Sequence, residues 1–206
     1  EYLGGQGMVF AHAKNIKIID TTILDVRYGH AIEINGIDTA VIDGVQAYGF
    51  IGESFRGAIQ IDIDKAPATL GDFGSNDGTP CKNITVRNCK IGASDKMPAW
   101  GRGVESHNSF VGVSHTNIKI YDNYIENTVN AAIRGYGWSK VEIRNNLIVN
   151  CGSGIVVNSL LLNKPEDLYD KEGNFIGTSQ TQTDILIKDN IVDGVTLTSG
   201  LLGGIA

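Results

Sequence analysis

Apolar and polar positions alternate strictly along Ile59-Gln60-Ile61-Asp62-Ile63-Asp64. Successive side chains of a strand point to opposite faces, so this stretch predicts a strand with one dry face and one face carrying an amide and two carboxylates. A shorter version of the pattern recurs. Asn15–Asp20, Asp38–Asp43, Asn83–Asn88, Asn117–Asp122, Lys140–Asn145 and Asp184–Asp189 each alternate and close on Asp or Asn. The closing residues lie 23, 45, 34, 23 and 44 positions apart, and the longer gaps fall where turn-rich insertions interrupt the pattern, at 65–82, 94–116 and 163–183.

Between these copies runs a second recurring strand, aligned on its inward aliphatic residue: Val9–His12, Ile32–Asn35, Ile59–Asp62, Val104–His107, Ile133–Tyr136 and Ile155–Asn158. One such unit is too small to bury its own apolar face, so neighbouring units must stack. Asp and Asn tolerate left-handed backbone and bond their own main chain, which suits a tight corner and predicts a ladder of stacked Asn/Asp side chains. A repeat of about 22–24 residues with three short strands is the signature of an all-β solenoid, a single-stranded parallel β-helix of about six coils. The leucine and asparagine spacing of a leucine-rich repeat is absent, and a WD-type propeller needs units nearly twice as long. The whole chain, 1–206, reads as one such domain.

Stacking would set the outward residues of the second strand in two rows, coil on coil at ~4.8 Å. One row reads Phe10, Glu33, Gln60, Glu105, Arg134, Val156, and the other His12, Asn35, Asp62, His107, Tyr136, Asn158. In this arrangement Asp62 neighbours His107, Glu105 neighbours Arg134, and Asp62 lies diagonal to Glu105 at about 8 Å. That separation falls within the ~6.5–9.5 Å expected of the two carboxyl groups of an inverting glycosidase. Crowding among Asp62, Asp64, Glu105 and Glu33 would raise one carboxyl pKa and so divide acid from base. Arg134 and Arg102 suit bidentate binding of a carboxylate or phosphate. Trp100, Trp138 and Tyr136 offer flat surfaces for sugar rings, and the insertions would wall the same face into a groove.

Composition narrows the class. With 206 residues, 42% of them hydrophobic, the chain can bury a core, and its net charge of −6 argues against a nucleic-acid binder. No apolar run approaches a membrane span. A start in mid-pattern at Glu1 predicts a trimmed chain or a piece of something longer, and the open ends of a short β-helix predict a trimer or a longer parent. Cys81, Cys89 and Cys151 lack metal spacing and read as buried free thiols. His12 reads as a surface or capping residue. Gly71–Gly78 is reminiscent of a calcium loop but lacks the distal glutamate, so Ca2+ is at most an accessory and no cofactor is required.

The repeated Asn-Ile-x-Ile-x-Asp/Asn strands, with Phe55–Asp62, Glu105–Asn108 and Val129–Arg134, resemble the right-handed parallel β-helix proteins of the pectate-lyase-like superfamily. That group spans polysaccharide lyases, polygalacturonase-type hydrolases and phage tailspike depolymerases. The polygalacturonase signatures are not present as such, so no catalytic residue carries over. The resemblance implies a carbohydrate polymer as ligand and an extracellular or virion-associated location.

The leading expectation is therefore a polysaccharide depolymerase, a hydrolase with Asp62 and Glu105 as acid and base. Asp64 would tune them and His107 share a proton. Arg134, Arg102, Gln60, Glu33, Asn35, Tyr136, Trp100 and Trp138 would hold the sugar. The alternatives are a lyase on a uronate polymer, with Arg134 neutralising the carboxylate and His107 or Tyr136 removing the proton, and a non-catalytic tail-fibre or adhesin shaft that binds glycan.

Overall fold

The computed structural model describes residues 5–64, 77–106, 113–158, 172–174 and 182–196. Six coils of three strands follow one another. They are β1 (Met8–Ala11), β2 (Lys14–Ile19) and β3 (Thr22–Arg27); β4 (Ile32–Asn35), β5 (Asp38–Asp43) and β6 (Gln46–Ile51); and β7 (Gly57–Asp62), β8 (Lys82–Arg87) and β9 (Lys90–Gly92). The last three are β10 (Arg102–Glu105), β11 (His115–Tyr121) and β12 (Tyr124–Glu126); β13 (Ala131–Tyr136), β14 (Trp138–Arg144) and β15 (Leu147–Val149); and β16 (Ser153–Asn158), β17 (Ile185–Lys188) and β18 (Ile191–Asp193).

Equivalent strands of successive coils pair in parallel, giving three six-stranded sheets, β1-β4-β7-β10-β13-β16, β2-β5-β8-β11-β14-β17 and β3-β6-β9-β12-β15-β18. The chain is a parallel β-helix, as the repeat predicts. The described residues hold no helix, and so none long and apolar enough to cross a membrane.

The inward rows make the core. In the first sheet Met8, Ile32, Ile59, Val104, Ile133 and Ile155 pair in register, and the last five have no exposure to solvent. In the second, Ile42, Val86, Ile120 and Ile143 continue one another, equally buried. β-Branched residues dominate because they fit a pleated surface packed on one side, and burying each contributes about 1.5–3 kcal/mol.

Corners are made as the sequence implies, with one change of phase. Asp20, Asn88, Asp122, Asn145 and Asp189 all adopt left-handed backbone, with φ between 47° and 57°. In the second coil the corner residue is Gly44 (φ 66°) and not Asp43, which pairs in register with Ile19 and Arg87. The second-coil copy therefore sits one residue later than its closing aspartate suggests. A side chain at position 44 would also meet the Asp20 carboxylate, since a Cβ there would lie 2.3 Å from Oδ1.

The residues after the corners at Asp122, Asn145 and Asp189 stack on one another. Asn123, Asn146 and Asn190 form an amide ladder: Asn123 Nδ2 donates to Asn146 Oδ1 (2.9 Å), and Asn146 Nδ2 to Asn190 Oδ1 (2.8 Å). Asn123 Oδ1 accepts the Cys89 amide at 2.9 Å, and the ladder ends there because Cys89 and Val45 occupy the next positions.

Candidate functional site

The outward face of the first sheet carries the polar residues that the sequence singles out. Glu33 pairs with Gln60, Gln60 with Glu105, and Glu105 with Arg134, while Asn35 pairs with Asp62. Asp62, Glu105 and Arg134 thus lie side by side on one sheet, although 72 residues separate the first from the last. In the first coil the rows differ from expectation. Val9 and Ala11, not Phe10 and His12, pair with Glu33 and Asn35, and Phe10 packs against the core. His107, with the rest of 107–112, lies outside the described residues, as does 65–76, which contains most of the calcium-like segment.

The face is buried rather than open. Glu105 and Asp62 are 0% and 1% exposed, and Glu33, Asn35, Gln60 and Asp64 are also buried. Each polar group is tied to a neighbour. Arg102 Nη1 donates to Glu105 Oε2 at 3.0 Å and to the Phe55 carbonyl at 2.9 Å. Gln60 Nε2 donates to Asp62 Oδ2 (2.7 Å), whose other oxygen accepts the Ile63 amide (3.1 Å). Asn35 Nδ2 donates to Glu33 (2.9 Å), and Gln6 donates to the same carboxylate. Gln60 Oε1 is buried without a hydrogen-bond partner.

Half-buried Arg134 holds its guanidinium 5.1 Å from the Tyr136 ring centroid. Burial, followed by the nearby charge of Arg102, lowers its pKa, an effect opposed by Glu105, Tyr136 and Asp62. Gly57 makes room for the acid: a Cβ there would lie 2.4 Å from Glu105 Cγ.

The aromatic expectation needs correction. Trp100 is part of the interior, stacked on Phe50 at 4.6 Å with Nε1 donating to the Ala47 carbonyl. Trp138 is fully buried and donates to Ser106 Oγ at 2.6 Å, and Ser106 in turn donates to the Ile61 carbonyl. Tyr136 is 1% exposed. None of the three presents a flat surface to solvent. An aromatic residue near a loop reads the same in sequence whether it plugs a corner of the core or faces a groove.

His12 and Asp77 meet Asp64 at the edge of this face. His12 turns out of β1 through left-handed backbone (φ 47°), and its Nε2 contacts Asp64 Oδ2, two coils away, with Asp77 Oδ1 at 3.5 Å. The sequence reading as a surface residue missed this contact. The available signal was weak: a histidine one step beyond a strand, in the same corner region as Asn35 and Asp62.

No protein-family model matches the chain. A search among curated proteins finds the plasmin and fibronectin-binding protein A of Streptococcus pneumoniae, 27% identical over 150 residues, covering 66% of this chain and 20% of that protein. Two solved structures of PfbA, a surface adhesin of the same organism, superpose on 90% of the chain with a TM-score of 0.72 and 21% identity, covering 43% and 47% of the solved chains. This chain thus spans a fifth of the curated relative and less than half of either solved chain, and at that identity the superposition shows the β-helix fold alone.

Proposed function

We propose that this chain is a β-helical binding module of a cell-surface adhesin, exposed outside the cell and engaging an extracellular protein. The observation that carries this reading is the 27% identity over 150 residues to a protein named for binding plasmin and fibronectin. The geometry agrees with it. A general acid and base must reach a substrate, whereas Asp62 and Glu105 are shielded from solvent, and Glu105 is held by Arg102 in an ion pair. On this reading the polar network fixes the register of the coils, and the solenoid presents a rigid lateral surface to its partner. On this reading the 206 residues form one β-helical domain.

Surface plasmon resonance of the 206-residue chain over immobilised fibronectin and plasmin tests this. Saturable, salt-tolerant binding to at least one supports the module; no binding to either at tens of micromolar rules out these partners.

A second reading stands on one specific observation, the clustering of Asp62, Glu105 and Arg134 on a single sheet. It keeps the chain among the pectate-lyase-like depolymerases, with Asp62 and Glu105 as acid and base or Arg134 as the carboxylate clamp of a lyase. His107 would assist and Asp64 would tune the pair, while Glu33, Asn35, Gln60 and Arg102 would bind the sugar. It requires the face to open to a polymer.

A further inference from the structure

The corner beyond β1 and β7 joins Asp64 to His12 and Asp77, two metal-ligating residues that neither functional reading uses. His12 Nε2, one carboxylate oxygen of Asp64 and one of Asp77 lie within 4.8 Å of one another. A tetrahedral ion bound at ~2.0–2.2 Å holds its ligand atoms about 3.3–3.6 Å apart. The 3.5 Å between His12 Nε2 and Asp77 Oδ1 matches that edge, whereas His12 Nε2 and Asp64 Oδ2 are in direct hydrogen-bonding contact and must move apart to admit the ion.

The three residues come from separate segments, and each is positioned by bonds that do not depend on the others' side chains. The His12 amide donates to the Asn35 carbonyl at 3.1 Å, continuing the ladder past the end of β1. Asp64 and the 77–79 segment are joined main chain to main chain, Asp64 N to Thr79 O (3.1 Å) and Gly78 N to Asp64 O (2.9 Å). Asp77 Oδ1 accepts both the amide and the hydroxyl of Thr79, at 2.9 and 2.5 Å. Two carboxylates are thus fixed on one imidazole by the backbone, an arrangement that like-charge repulsion opposes and a cation relieves.

Burial grades across the cluster as a metal site needs. Asp64 is almost wholly shielded, whereas His12 and Asp77 have side chains 31% and 47% exposed, which leaves an entry path for the ion. The Thr79 bonds to Asp77 serve as the outer shell that orients a ligating carboxylate.

We propose that His12, Asp64 and Asp77 bind one divalent transition-metal ion of the Zn2+ type. One imidazole and two carboxylates form a borderline donor set that suits Zn2+, whereas Ca2+ takes six to eight oxygens, more than two carboxylates supply. Three protein ligands leave a fourth position for water. The bound ion ties the first coil to the third and to the segment leading into β8.

The test is isothermal titration of Zn2+ into the EDTA-dialysed 206-residue chain, paired with thermal unfolding in Zn2+, Ca2+ and EDTA. Expected are a stoichiometry of one, a rise in Tm with Zn2+ that EDTA reverses, and no comparable rise with equimolar Ca2+. His12→Ala and Asp77→Asn should each weaken Zn2+ binding at least tenfold; both side chains are partly exposed, and circular dichroism verifies the fold of each variant. Absence of saturable binding up to 1 mM Zn2+, unchanged binding in both variants, or an equal response to Ca2+ would each overturn the proposal.

Discussion

Asn146 has every polar atom of its side chain engaged inside the stack. Its Nδ2 donates to the Ile120 carbonyl (3.0 Å) and to Asn190, while Oδ1 accepts the backbone and side-chain nitrogens of Asn123. Truncation leaves several buried groups without partners at about 1–3 kcal/mol each, softened by relaxation. Asn146→Ala should therefore cost about 2–4 kcal/mol, read as a lower urea midpoint at unchanged m-value. The three cysteines show the opposite chemistry. All are free and buried, and burial pushes the thiols of Cys81 and Cys89 up to about 12 and raises that of Cys151. Because the thiolate is the reactive form, none should react with a disulfide reagent at pH 8 in the native protein, and all three should react in denaturant. Fast native labelling of one thiol would place it outside the core. The odd cysteine count made free thiols legible in the sequence; the His12–Asp64 contact was not, because it joins corners two coils apart.

At the scale of the strand, the outer row of the second sheet places Asp43, Arg87, Tyr121 and Arg144 in succession. Arg87 donates to Asp43 through Nε (2.8 Å) and to the Tyr121 hydroxyl (3.1 Å), and Arg144 lies 4.1 Å from the Tyr121 ring centroid. The Asn88 hydrogen bond, opposed by desolvation and helped by Arg87, holds the Asp43 carboxyl below its ordinary value. A carboxyl with a depressed folded pKa stabilises the fold above its unfolded pKa of ~3.9 and loses that contribution as pH falls through the folded value. Asp43→Asn should lower Tm by about 1–3 °C at pH 7, with the difference shrinking below about pH 4. A constant difference down to pH 2 would assign the effect to packing. Strand identity was legible throughout, since alternation and Asn/Asp corners follow from the pleat and the left-handed turn. Phase was not legible at Phe10 or Asp43. Each has a neighbour one position away that fits the same pattern, and only pairing between coils decides which residue faces in.

At the scale of the whole molecule, the repeat gave the architecture because each coil must bury its apolar face on the next, and that requirement is written into every copy. The candidate site was legible only as a set of positions. The sequence brought Asp62, Glu105 and Arg134 onto one sheet but could not show that the face is buried, because alternation fixes which face a side chain is on and not what covers it. That burial separates a rigid module that binds through its outer surface from a depolymerase that works in an open groove. The most direct measurement is incubation of the 206-residue chain with a panel of neutral and uronate polysaccharides, following reducing ends and the ultraviolet absorbance of unsaturated products. The binding-module account predicts neither signal above background, for the native chain or for Asp62→Asn. Product released by the native chain and lost in a folded Asp62→Asn variant would contradict it.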